Sequence, residues 1–139
     1  MREIKFRGYA VPAMVNGQWR YGFGVSECEF SEEYAERLGR KSDWLLHSNS
    51  IPIEVHEKSI GQYVGLQDIE GKDIYEGDIV EYGYCDKSYL VIWEDYRFNL
   101  KGFYEGYLDY PTEAFSESLQ FKVVGNIHEH PHLLKEERT

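Results

Sequence analysis

The spacing of its turn residues is what most constrains this chain. From about residue 59 onward, Gly61, Gly65, Glu70-Gly71, Glu76-Gly77-Asp78, Gly83, Gly102, Gly106 and Gly125 punctuate the sequence. Glycine supplies φ values that other residues resist, so these positions read as turns and the runs between them stay short. The runs lie at about 60–64, 79–84, 88–94, 96–103 and 121–128, and each reads as a strand. Several short strands at this spacing predict a small barrel. A helical insert is predicted at about 112–119, with Thr112 as its cap and Ala114, Phe115 and Leu119 as its apolar positions. Pro131 to Leu134 reads as one helical turn, and Lys135 to Thr139 as a frayed tail.

The N-terminal half of the chain mixes strand and helix signals. Residues 1–9 alternate, with Ile4 and Phe6 on one face and Lys5 and Arg7 on the other. Asn16-Gly17 is the strongest turn signal. Trp19, Tyr21, Phe23 and Val25 then alternate along a strand over about 18–25, predicted to pair with an earlier one. Gly22 and Gly24 fall on one face of it and leave room for another backbone. Ser31 is a candidate cap for a helix over about 32–38, with Glu32 and Glu33 in its first turn and Gly39 as its stop. Tyr34 and Leu38, four apart, are expected to share its buried stripe. Trp44, Leu45 and Leu46 precede a Ser48-Asn49-Ser50 loop, and Ile51, Ile53 and Val55 alternate again. Charge shifts along the chain. Residues 1–58 hold 8 basic and 9 acidic residues, and residues 59–139 hold 7 and 16. The expected organisation is therefore an N-terminal α+β lobe, 1–58, and a barrel subdomain, 59–139, with the boundary near 56–60.

With 42% hydrophobic and 16% aromatic residues, the chain can bury a core and does not read as disordered. A net charge of −10 argues against a broad positive face for duplex DNA. No stretch approaches the ~20 apolar residues of a membrane helix, and charges interrupt the segment after Met1, so a cytoplasmic protein is expected. Arg2, Lys5, Arg7 and Arg20 are the one group of cations that would cluster if strands 1–9 and 18–25 lie together. Cys28 and Cys85 share no metal or redox spacing and read as reduced thiols.

Three constellations hold chemistry-bearing residues. His128, His130 and His132 share a face if extended, and imidazole suits zinc, nickel or copper. Pro131 breaks that ladder, so no metal is expected there. Asp68, Glu70, Asp73, Glu76, Asp78 and Glu81 form an acidic run whose irregular spacing, interrupted by Ile69, Ile74 and Ile79, does not match a calcium loop. It reads as a solvated face, open to a basic partner. The aromatics between Tyr82 and Tyr110 read mainly as core, with a share left for binding. From these, Asp68, Glu70, Asp73, Glu76, Asp78, Trp93 and Tyr96 are the candidate interaction surface. No phosphate loop and no nucleophile elbow are present, and Glu94 and Asp95 point to opposite faces of a strand. No catalytic residue and no cofactor is expected.

One stretch is specific enough to place. Ile60-Gly61-Gln62-Tyr63-Val64-Gly65-Leu66-Gln67-Asp68, followed by Gly71-Lys72-Asp73-Ile74-Tyr75-Glu76-Gly77-Asp78-Ile79-Val80, resembles the YopX family of phage and prophage proteins. The opening Arg2-Glu3-Ile4-Lys5-Phe6-Arg7-Gly8 and the closing Val123-Val124-Gly125-Asn126-Ile127-His128-Glu129-His130-Pro131-His132-Leu133-Leu134 resemble its two ends. At His128 and His130 the sequence departs from the family's aromatic and Asn. The resemblance implies an SH3-type small barrel toward the C-terminus and a bacterial or phage genome. It carries no activity. The expected function is a non-enzymatic accessory protein that engages a basic protein partner and self-associates as a homo-oligomer. The competing expectation is a nucleic-acid-associated small barrel.

Overall fold

Close approach of backbones shapes the N-terminal lobe of the computed structural model. Strand β1 (Phe6–Tyr9) pairs antiparallel with β2 (Trp19–Gly22), setting Arg7 against Tyr21 and Gly8 against Arg20. A Cβ on Gly8 would lie 2.8 Å from Val55 Cβ, and one on Gly22 would overlap the His47 carbonyl oxygen. Only glycine lets these strands come so near. The room expected at Gly22 is thus filled by backbone, whereas a Cβ on Gly24 meets nothing within 4 Å. The loop between β1 and β2 runs through Asn16-Gly17, with Gly17 at φ 93°. It is held by Gln18, whose side chain donates to the carbonyls of Ala10 and Pro12 and accepts from Met14 N–H.

The predicted strand over 18–25 divides at Phe23, whose N–H donates to the His47 carbonyl. Strand β3 (Gly24–Glu29) follows, then helix α1 (Glu32–Leu38), β4 (Ser42–His47) and β5 (Ile53–Val55), in the sheet order β3-β4-β5. β5 meets the end of β1 through an Ala10–Val55 bridge, with Val11 N–H donating to Glu54 and His56 N–H to Tyr9. Ala10, Leu46 and Val55 are buried there. Ser31 caps α1 by accepting from Tyr34 N–H, and Gly39 ends it at φ 76°. The expected buried stripe does not form. Tyr34 and Leu38 are exposed, and α1 buries no residue. Phe30, edge-on to Tyr34 at 5.0 Å, and Arg37 above the Tyr34 ring give this helix local partners instead of a core. Ile51 is likewise outside β5 and exposed.

The structure describes residues 3–82, 88–94, 97–102, 109–111 and 121–132, and the chain divides into two compact units, Met1–Gln62 and Tyr63–Thr139. The division falls inside β6 (Gly61–Gln67). The second unit continues through β7 (Asp73–Tyr75), β8 (Asp78–Tyr82), β9 (Ser88–Glu94), β10 (Arg97–Gly102), β11 (Asp109–Pro111) and β12 (Phe121–Asn126). β7 and β11 are additions to the strands expected from the sequence. The predicted helical insert at 112–119 lies outside the described residues, as do Cys85 and Tyr96.

β8 to β12 form a five-stranded antiparallel sheet in the order β11-β10-β9-β8-β12. Val64, Ile74, Val80, Val91, Phe98, Leu100, Phe121 and Val123 make its core, with Leu66 and Tyr89 packed against them. Alternate residues of β8, β9, β10 and β12 reach this core because strand side chains alternate between faces. Each fully buried Leu, Ile or Phe contributes about 1.5–3 kcal/mol of transfer free energy. The fold is mainly β, built of several antiparallel sheets, and no closed barrel is detected among the described residues.

Candidate interaction surface

Asp68 opens the turn between β6 and β7. Its Oδ1 accepts from the N–H groups of Glu70 and Lys72, at 2.8 and 2.9 Å. Its Oδ2 accepts from Val123 N–H on β12 at 3.0 Å, 55 residues away. The residue is 8% exposed. Burial pushes its carboxyl upward, but the Val123, Lys72 and Glu70 donors and the Lys72 charge together hold it below the usual carboxylate range. This side chain clips the β6–β7 hairpin to β12. Gly71 at φ 82° completes the turn, and Gly65 at φ 95° sits where β6 bulges against β7.

Asp78 has the same role at the following turn. It is 1% exposed, and its Oδ2 accepts from Tyr75 N–H at 2.8 Å, closing the turn that Gly77 makes at φ 94°. The expectation that 68–81 form one solvated acidic face is thereby corrected. Buried backbone donors in tight turns need acceptors, and short Asp side chains reach them. Of the sequence-predicted surface, Glu70 is exposed, while Asp73 and Glu76 are half-buried. Asp73 accepts from Gln67 Nε2. Trp93, 49% exposed, stands edge-on to Phe98 at 4.7 Å on the β9–β10 pair. The described candidates therefore spread over β7, β8, β9 and the two turns before β8, with Asp68 and Asp78 inside.

The histidine segment is a turn rather than a strand. Asn126 Oδ1 accepts from His128 and Glu129 N–H, and the Asn126 carbonyl accepts from His130 N–H. His130 Nδ1 accepts from Asn126 N–H at 3.2 Å, and its ring lies over Gly125, where a Cβ would come within 2.7 Å of Nδ1. His130 is therefore a packing and capping group for this turn. His132 is exposed, 6.1 Å from it ring to ring.

Of the cations that would cluster if β1 and β2 lie together, Arg2 lies outside the described residues, and Arg7 and Arg20 do not share a face. Arg7 and Arg20 project from opposite faces, because Arg7 lies opposite Tyr21 and Arg20 lies opposite Gly8. Arg7 is 5% exposed, with its guanidinium 4.6 Å from the Trp19 ring centre. Tyr9 packs edge-on to the same Trp19 at 5.3 Å.

A different place in the first unit gathers charge around a groove. A cavity of about 530 Å³ is lined by residues of β3, β4 and β5 and by their flanks. Glu27, Trp44 and Val55 lie in register across the three strands. Glu27 accepts from Ser42 Oγ at 2.6 Å. Asp43 pairs with Arg40 at 2.9 Å, and that hydrogen bond raises the Arg40 guanidinium above its ordinary value, against a smaller opposing effect of burial. Glu54 and Glu57 complete four carboxylates in the lining, against Arg40, Lys41 and His56. Sequence reasoning missed this groove, because its carboxylates come from β3, β4, β5 and the helical turn after β5, and only the fold unites them. The alternating Glu27 and Glu29 of β3 were the available signal.

No curated protein matches the chain. Among solved structures, the chain is similar to protein EF1440 from Enterococcus faecalis, at 21% identity and a TM-score of 0.48, over 94% of this chain and 97% of that one. The family described as YopX protein matches residues 16–135, a span that takes in the Gly65 bulge, the Asp68 and Asp78 turns and the Gly125–His130 turn. The chain belongs to the YopX family.

Proposed function

We propose that this chain is a non-enzymatic protein-interaction module for a basic partner. The observation that carries the reading is the groove of the first unit, whose lining sets Glu27, Asp43, Glu54 and Glu57 against Arg40 and Lys41, with Glu27 opposite Trp44 on one face of the sheet. A carboxylate beside an aromatic ring, in a lining with an acidic excess, suits Lys or Arg side chains. The chain's net charge of −10 favours the encounter. The family resemblance supports a phage or prophage accessory role in the cytoplasm of a bacterial host. It also supports reading residues 59–139 as an SH3-type small barrel. Amide protection along both edge strands, β11 and β12, tests that closure.

The partner test is affinity capture with the tagged full chain, with mass spectrometry of what is retained. A basic protein held by the wild type, released as salt rises above about 0.3 M, and lost in Glu54→Lys/Glu57→Lys supports the module. Capture unaffected by that charge reversal removes the groove from the function.

Exposed Val15, Ile51, Phe23, Tyr21 and Trp93 support self-association as a second interaction. Light scattering behind size exclusion decides it, and a clean monomer at high concentration removes it. The competing nucleic-acid reading draws on Arg7, Trp19, Tyr9 and the exposed Tyr21 of β1–β2. Micromolar anisotropy binding of single-stranded DNA at about 150 mM salt, lost in Tyr21→Ala, would put that reading first.

A further inference from the structure

The three-stranded sheet of the first unit ends on β3, and the phase of its ladder says which groups that edge offers. Phe30 N–H donates to the Lys41 carbonyl at 2.9 Å, and β3 and β4 keep one register from Gly24↔His47 to Glu29↔Ser42. Directly opposed residues alternate between exchanging hydrogen bonds and not doing so. Gly24, Ser26 and Cys28, an even number of residues from Phe30, therefore turn their N–H and C=O groups toward β4. Val25, Glu27 and Glu29 turn theirs outward. β3 stands first in the order β3-β4-β5, so no strand pairs with this edge among the described residues. Ser26, Glu27, Cys28 and Glu29 are all exposed.

Such an edge is a template for another strand, and its charges choose which. The side chains of Glu27 and Glu29 share the face of Trp44 and Ser42, their partners in register. Ser42 Oγ holds the Glu27 carboxylate in place. A second copy of this chain would bring the same carboxylates, and like charges on neighbouring strands repel. A strand with Lys or Arg at alternate positions meets them instead.

We infer that the β3 edge receives an extended basic segment of a partner protein as an added strand, with a Lys or Arg of that segment placed over Trp44 and beside Glu27. This rests on the basic-partner reading above and specifies its mode. Main-chain hydrogen bonds to Val25, Glu27 and Glu29 supply affinity, and the groove supplies side-chain selection.

The test uses the full chain and a synthetic peptide of alternating lysine and valine, with a glutamate–valine peptide as control. The expected result is salt-sensitive binding of the lysine peptide alone. Amide exchange then slows at Val25, Glu27 and Glu29, while Ser26 and Cys28 are protected with or without peptide. Glu27→Pro removes one outward N–H and no main-chain bond to β4, so it keeps the sheet by circular dichroism and lowers affinity at least tenfold. Glu27→Gln retains that N–H, keeps the exchange pattern and loses less. Binding with unchanged exchange at the three outward amides overturns strand addition and leaves a basic partner docked elsewhere. Failure of the lysine peptide to bind also overturns it, while the capture experiment independently decides the basic-partner reading. Protection of the three amides that grows with protein concentration and without peptide assigns the edge to a second copy, against this inference.

Discussion

Asp68 shows how a residue that looks like surface charge can be structural. Its carboxylate satisfies three backbone N–H groups, one of them on β12. Asp68→Asn keeps the shape but puts an amide donor where one oxygen accepts, so a buried N–H loses its partner. The expected cost is about 1–3 kcal/mol, measured by denaturant unfolding. The folded-state carboxyl sits below its ordinary value, so its stabilisation is fully present above the unfolded value of about 3.9. It is lost as pH falls from there through the lower folded value. The gap between wild type and Asp68→Asn should therefore close across that acid window. A gap unchanged between pH 6 and the acid end would contradict the assignment. Glycines offer a second residue-scale comparison. A Cβ at Gly22 runs into the His47 carbonyl, and a Cβ at Gly24 meets nothing. Gly22→Ala should cost about 1–3 kcal/mol by overpacking, and Gly24→Ala less than about 0.5 kcal/mol. Equal unfolding midpoints for the two variants would show that β2 and β4 are not in such close contact.

At the scale of elements, α1 separates helix formation from core formation. Its ends carry their signals in the sequence, with Ser31 at the N-cap, Glu32 and Glu33 in the first turn and Gly39 as the left-handed stop. These are local interactions between residues within four positions, so they are legible without a fold. The spacing of Tyr34 and Leu38 is equally local, yet it predicts a buried stripe that is absent. Periodicity says which side chains share a face and leaves open what lies opposite. Leu38→Ala should therefore shift global stability by less than about 0.5 kcal/mol. Ser31→Ala should lower the helical signal without moving the unfolding midpoint. A midpoint shift of 2 kcal/mol or more in Leu38→Ala, beyond what about 40% residual exposure allows, would mean that α1 is covered in solution. Hydrogen exchange over residues 32–38 distinguishes the two cases. Strand β3 has the opposite history. Its first two residues, Gly24 and Val25, read as the tail of a strand over 18–25, but Phe23 turns to the His47 carbonyl and breaks that run in two.

For the molecule as a whole, charge distribution separates partners. Sixteen of the 25 acidic residues lie in 59–139, and on the β1–β2 pair Arg7 and Arg20 point apart. Duplex DNA should show no appreciable binding at about 150 mM salt, because affinity grows with the number of phosphates neutralised. A gel shift at low and moderate salt checks this. Retention at moderate salt that Arg20→Ala abolishes would reverse the conclusion.

Chain order by itself determined the turns at Gly17, Gly71 and Gly77, the mainly β character, both ends of α1 and the family, because each rests on residues close in sequence or on ordered short motifs, whereas Gly61, Gly65 and Gly125, also read as turns, lie within β6 and β12. Gly17, Gly39, Gly71 and Gly77 all adopt the positive φ that made them readable as turns or stops. Tertiary structure alone decided what each polar group faces. Asp68 and Asp78 went inside to meet backbone donors, His130 folded back over Gly125, and Arg7 settled against Trp19. It also decided that Glu27, Trp44 and Val55 stand in one row, since the register of three strands brought them together. A carboxylate reads the same in sequence whether water or an amide will solvate it, and only the packed chain supplies one or the other.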